Sequence, residues 1–148
     1  MAVEKAYALA TLLEANVITP QEYEACLDAL FLENLEDELL LELQCFAKGL
    51  RDTKDILTEH IYQNGYCMDY RVFGRALFGK LAEVYRRSEL PIEVFAGKAF
   101  RVWSLLPEET RFSEPFLTLT HADDSLAWAG EKEIKELFEK AFAHDFGI

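Results

Sequence analysis

The run Gly74-Arg-Ala-Leu-Phe-Gly79-Lys80-Leu81 has the spacing of a phosphate-binding loop up to its last position, where the Ser or Thr that would hold magnesium is Leu81. Such a loop follows a buried strand and opens a helix, whereas this run lies inside a helical hydrophobic pattern. The three histidines, His60, His121 and His144, supply no E-x-x-H pair and no second histidine four residues away, so metal ligation has no sequential seed. His144-Asp145 has the form of the central doublet of one metal phosphohydrolase class, and reads as a cation at a helix end. Cys26, Cys45 and Cys67 are odd in number and widely spaced, without a C-x-x-C, and are expected to be small buried hydrophobes in a reducing compartment. Only Cys67, a few residues from Arg71, has an electropositive neighbour that would activate a thiol. These residues yield no catalytic, cofactor or metal assignment, and the chain is expected not to be an enzyme.

The carboxylates are more telling. From Ala6 to Ala47 there is no lysine or arginine but there are nine acids: Glu14, Glu22, Glu24, Asp28, Glu33, Glu36, Asp37, Glu38 and Glu42. Some two of them will face each other by chance, and a glycosidase-like pair would need a sugar cleft that a helical domain of this size seldom builds. What the stretch does offer is a nearly unneutralised negative face. Glu36, Asp37 and Glu38 fall in the first turn of an expected helix, where the positive end of its dipole stabilises them. Glu33 and Glu42 lack that support and have no lysine four residues away. The candidate partner-binding residues are therefore Glu33, Glu36, Asp37, Glu38 and Glu42.

A chain of 148 residues that is 51% apolar, with eleven Phe, six Tyr and two Trp, carries too much aromatic mass for a disordered segment despite its net charge of −12. It is expected to fold as one domain over residues 1–148, large enough to bury about 70% of its unfolded surface. The charge repels nucleic acid and anionic membrane, leaving a basic protein partner or plain solubility as its use. No apolar run approaches a membrane span, and the start Met1-Ala-Val-Glu-Lys lacks a basic then apolar leader, so a cytoplasmic location is expected.

The elements that must position these acids follow from spacing and punctuation. Val3 to Ala15 predicts a helix with Val3, Tyr7, Ala10 and Leu13 on one side, stopping at Asn16. Thr19-Pro20-Gln-Glu22 predicts the next start, with Thr19 as cap, Pro20 in the first turn and Glu22 reaching back to complete a capping box. That helix runs to about Glu33 with Tyr23, Cys26, Leu27, Leu30 and Phe31 inward. A third is expected over Leu35 to Lys48, along Leu39, Leu43 and Phe46. Asp52 or Thr53 caps a fourth, closed by Asn64-Gly65, and Asp69 caps a longer fifth to about Arg87. From Asp69 to Arg101 seven basic residues face four acids, a net of +3, so the domain is electrically lopsided.

Ile92, Phe95, Ala99, Val102, Trp103 and Leu106 mark a sixth helix ended by Pro107, and Ile134, Leu137, Phe138, Ala141 and Phe142 mark a last one over Glu131 to Ala143. Gly74, Gly79 and Gly97 lie inside helical patterns, for which close helix packing is the expected reason. Residues 107–130 read as an irregular segment, with a turn capped by Asp123 or Asp124 through Ser125-Leu-Ala-Trp128. The sum is an all-α, single-domain bundle of six or seven helices.

In size, acidity and expected helical content, the chain resembles the small cytoplasmic immunity proteins that bacteria pair with secreted toxins, many of them basic nucleases. The resemblance is one of character over the whole chain. It implies neutralisation of a cognate toxin domain by the five carboxylates named above, which would mimic a phosphate backbone without binding nucleic acid. The alternative is a helical adaptor or regulatory protein, in which Leu40 and Leu41 add to the stripe of Leu39, Leu43 and Phe46 and build an apolar surface for a homodimer or a partner helix. A third reading, an enzyme, would place its site in the cleft between the acidic half and the basic segment around Arg71, Arg75 and His121.

Overall fold

The computed structural model describes residues 2–46, 49–63, 65–125 and 128–147, and among these it contains α-helices and no strand. Nine are present: α1 (Ala2–Glu14), α2 (Pro20–Glu33), α3 (Glu38–Phe46), α4 (Leu50–Thr58), α5 (Tyr70–Arg87), α6 (Ile92–Ser104), α7 (Glu108–Arg111), α8 (Thr118–Ser125) and α9 (Glu131–Phe142). A π-helical turn, Glu59–Gln63, widens the end of α4. The all-α expectation holds, with more helices than the six or seven read from the sequence.

α1 is the centre of the bundle. It packs most extensively on α5 and also touches α2, α3, α4 and α6. One buried side was expected, but Ala2, Val3, Ala6, Ala8, Ala10 and Leu12 are all buried, because alanine lets neighbours approach from every direction. The helix ends as its sequence demands. Asn16 has a left-handed φ of 58°, the Val17 amide donates to the Leu12 carbonyl at 2.9 Å, and the Asn16 amide to Leu13 at 3.0 Å. This doubly bonded ending suits Asn because its short polar side chain tolerates positive φ.

Other boundaries follow local chemistry as well. Thr19 Oγ1 accepts from the Glu22 amide at 3.1 Å with Pro20 opening α2, and Asp69 accepts from the Arg71 amide at 3.0 Å to open α5. The expected capping box is not completed. The Glu22 carboxylate turns instead to α5, where it meets Arg87 at 2.5 Å and Lys80 at 3.3 Å. Nor do Asp52 and Thr53 cap α4, which begins at Leu50 with Gly49 before it; Asp52 lies in the first turn and Thr53 is buried. The expected ends at Lys48 and Asn64 lie outside the described residues.

The segment 107–130 corrects the sequence reading most. Pro107 is followed by α7, a cis Glu114-Pro115 bond and α8, and Phe116, Leu119 and Ala122 of this region are buried against the core. Within this segment α8, entered through Phe116 and Leu117, is a short helix packed on α6. The cap proposed at Asp123 or Asp124, with its turn through Leu126 and Ala127, lies outside the described side chains and residues.

Gly74 alone of the three helical glycines has the packing role expected of it. A Cβ there would collide with the Phe146 ring and come within 2.9 Å of Phe116, whereas a Cβ at Gly79 or Gly97 would meet nothing within 4 Å.

Candidate functional site

The acidic candidates gather on α2, α3 and the turn between them. α2 stops at Asn34, whose backbone amide donates to the Phe31 carbonyl at 3.0 Å and whose side-chain Nδ2 donates to Leu30 at 2.9 Å. Asp37 then starts α3, its Oδ1 accepting from the Leu40 amide at 3.0 Å. α3 thus begins later than the expected Leu35, and Asp37 is its cap and not a first-turn residue. Leu39, Leu40 and Leu43 go into the core, and Gln44 Nε2 donates to Asp28 at 2.6 Å, tying α3 back to α2.

This arrangement leaves Glu33, Glu36, Glu38 and Glu42 exposed, none with an ion-pair partner among the described residues. Asp37 is half-buried and occupied by its cap. The remainder of the acidic stretch is largely used internally. Glu14 meets Lys54 at 2.7 Å, Asp28 accepts from Gln44, and Glu22 lies between Lys80 and Arg87. The Arg87 guanidinium holds Glu22 below the ordinary carboxylate range against the opposing push of burial, with Lys80 adding to it. At the start of α2 the Glu22 charge is therefore neutralised, whereas Glu24 and, at and beyond the helix's far end, Glu33, Glu36, Glu38 and Glu42 have no ion-pair partner among the described residues.

The uncompensated end is also apolar, and of its exposed leucines sequence reasoning named only Leu41 as surface. Leu32 is 71% exposed, Leu35 63% and Leu41 49%. On α3 the outward positions Glu38, Leu41, Glu42 and Cys45 follow helical spacing, so Leu41 lies between two carboxylates. Leu40, paired with Leu41 in the adaptor reading, is instead fully buried. The i, i+3 relation of Leu32 to Leu35 across the helix end was a signal available in the sequence, hidden because the third helix was expected to start at Leu35.

The chemistry sought elsewhere is dispersed. Gly74 to Lys80 is interior α5, without the strand-to-helix turn of a phosphate loop. Among the described residues no group of three or more His, Cys, Asp and Glu is placed to hold a metal. His60 lies against Tyr66, and His144 against Phe146. Arg75 and His121, which the enzyme reading put in one cleft, line different ones. Arg75 borders a groove of about 380 Å³ among α1, α2 and α5, and His121 a groove of about 580 Å³ with Trp128, Glu133, Glu136 and Lys140. The cysteines are unpaired thiols, and the expectation that they are buried is overturned: Cys45 and Cys67 are exposed and Cys26 is half-buried.

No family model, curated protein or solved structure matches this chain. No helix among the described residues is long and apolar enough to cross a membrane.

Proposed function

We propose that the chain is a non-catalytic, cytoplasmic protein-binding domain, and that the face made by the end of α2 and the outer side of α3 engages a basic protein partner. The supporting observation is the coincidence of four unpaired carboxylates, Glu33, Glu36, Glu38 and Glu42, with three exposed leucines, Leu32, Leu35 and Leu41. Carboxylates of one sign steer a cationic partner and reject anionic ones, and the leucines supply the desolvated contact that charge alone does not provide. In a bacterial setting this is the surface an immunity protein would apply to a cognate basic toxin domain, with no direct contact to nucleic acid or membrane.

The test is binding to the product of the adjacent open reading frame at low and high salt, with Glu33, Glu36, Glu38 and Glu42 intact or changed to lysine and Asp37 retained so that α3 keeps its cap. Binding that weakens with salt and is lost on charge reversal supports the reading. Binding indifferent to both, but lost in Leu41→Asp, would transfer it to an adaptor that grips a partner helix through its apolar surface. Absence of binding in every arm removes this partner.

A further inference from the structure

The outer face of α6 is self-complementary about Gly97. Glu93, Gly97 and Arg101 are exposed and spaced i, i+4 and i+8, forming one ridge along the helix with an acid and a base about 6 Å to either side of the glycine. Neither Glu93 nor Arg101 has an ion-pair partner among the described residues, while the neighbouring Lys98 is occupied by the Asn16 carbonyl at 2.6 Å. Val94 and Phe100 flank the ridge, 44% and 38% exposed, and Leu90 continues the apolar face toward the start of the helix. Gly97 weakens the helix without serving any packing inside the chain, since a Cβ there meets nothing within 4 Å. A glycine on an exposed apolar face, bracketed by opposite charges at equal spacing, suits a second backbone passing close by.

We infer that this face is occupied by a second copy of the chain, with the two α6 helices crossing antiparallel at Gly97 so that Glu93 of each copy meets Arg101 of the other. The crossing lies in the commonest class of helix packing, with the i, i+4 ridges of both helices aligned at about 50°. Two-fold symmetry makes both ion pairs at once and covers Val94 and Phe100. The contact is one helix crossing with its rim, smaller than a standard interface, so the dimer is weak and concentration-dependent. Each copy carries a net charge of −12, and the long-range repulsion is damped at about 0.15 M salt, where the screening length is about 8 Å. The inference does not depend on the acidic face of α2 and α3.

The experiment is sedimentation equilibrium of the whole chain over a concentration series at that ionic strength. Wild type should associate reversibly to a dimer; Glu93→Arg and Arg101→Glu should each weaken it about tenfold or more, and the double exchange should restore it. Gly97→Ala should raise the melting temperature of the dilute monomer while weakening the dimer, because the added methyl favours the helix but separates the two backbones. Thermal melts of each variant at monomer concentrations verify folding. A chain that stays monomeric at about 1 mM overturns the inference. So do single reversals without effect, a double exchange that fails to restore association, or a Gly97→Ala variant that gains stability and dimerises unchanged.

Discussion

The Glu4 carboxylate accepts the backbone N–H of Asp69 at 2.9 Å, joining the first turn of the central helix to the residue that caps α5. The same oxygen accepts from the Tyr66 hydroxyl at 2.8 Å, and the residue is fully buried. Replacing Glu4 by alanine would bury the Asp69 amide and the Tyr66 hydroxyl without this acceptor, at a cost of about 2 to 4 kcal/mol. Chemical denaturation at neutral pH checks this, and Glu4→Gln, which keeps an acceptor oxygen, should lose less.

The same contact sets a pH dependence at both ends of the scale. Burial pushes the Glu4 carboxyl up, but the Asp69 amide and then the Tyr66 hydroxyl outweigh it and hold the group below its ordinary 4.5. Its contribution is therefore complete above about 4.5 and is lost as pH falls through the lower folded value. Tyr66 has the opposite sign: burial, then Glu4, push it up to about 12, so its contribution is complete below 10 and is lost as pH rises from 10 to about 12. Wild-type stability should decline at both extremes. A Glu4→Gln variant should show a flatter acid limb in denaturant titrations.

Gly74 and Gly79 stand five residues apart on α5 and should respond in opposite ways to alanine. At Gly74 the methyl group would be driven into the Phe116 and Phe146 rings, an overpacking that costs about 1 to 3 kcal/mol. At Gly79 it enters open space and gains helix propensity, stabilising by about 0.5 to 1 kcal/mol. Thermal melting of the two variants side by side gives the comparison.

Asp37 and Glu38 are neighbours with different duties. Asp37→Ala removes the cap on the Leu40 amide and should destabilise by about 1 kcal/mol. Asp37→Ser retains a capping oxygen and should recover most of that loss, whereas Glu38→Ala, an exposed first-turn change, should shift stability by less than about 1 kcal/mol. Denaturant midpoints of the three variants separate capping from surface charge.

Arg111 closes the end of α6. Its Nε donates to the Leu106 carbonyl at 3.1 Å and an Nη donates to Ser104 at 2.8 Å, while the guanidinium lies 5.6 Å from the centre of the Trp103 ring. Trp103 Nε1 returns a hydrogen bond to the Arg111 carbonyl at 2.9 Å. Arg111→Lys should not restore this fork and should remain destabilised by about 1 to 2 kcal/mol, with a change in Trp103 fluorescence on the same melting curve.

Where a boundary was written in adjacent residues, the sequence was legible. Asn16, Thr19-Pro20 and Asp69 act within one turn of the backbone they cap or break, and the structure places all three as read, while α6 ends at Ser104, short of Pro107, which opens α7. What was not legible depends on distant partners. Glu22 looked like half of a capping box until Arg87, 65 positions away, claimed it. α7 and α8 are too short to declare themselves by periodicity, and α8 is held by the packing of Phe116, Leu119 and Ala122. The four free acids of the candidate site were visible from the absence of nearby lysine. Of the leucines beside them only Leu41 was read as surface, and wrongly together with the buried Leu40, because hydrophobicity does not say which leucine the core will leave outside.

The alanine-rich α1 is synthesised before every helix that encloses it. While a ribosome extends the chain through α5, the future centre of the bundle has only part of its shell, since α5 and α6 do not yet exist. The nascent chain must therefore carry this core exposed until both α5 and α6 have been made, and only then can the shell around α1 close.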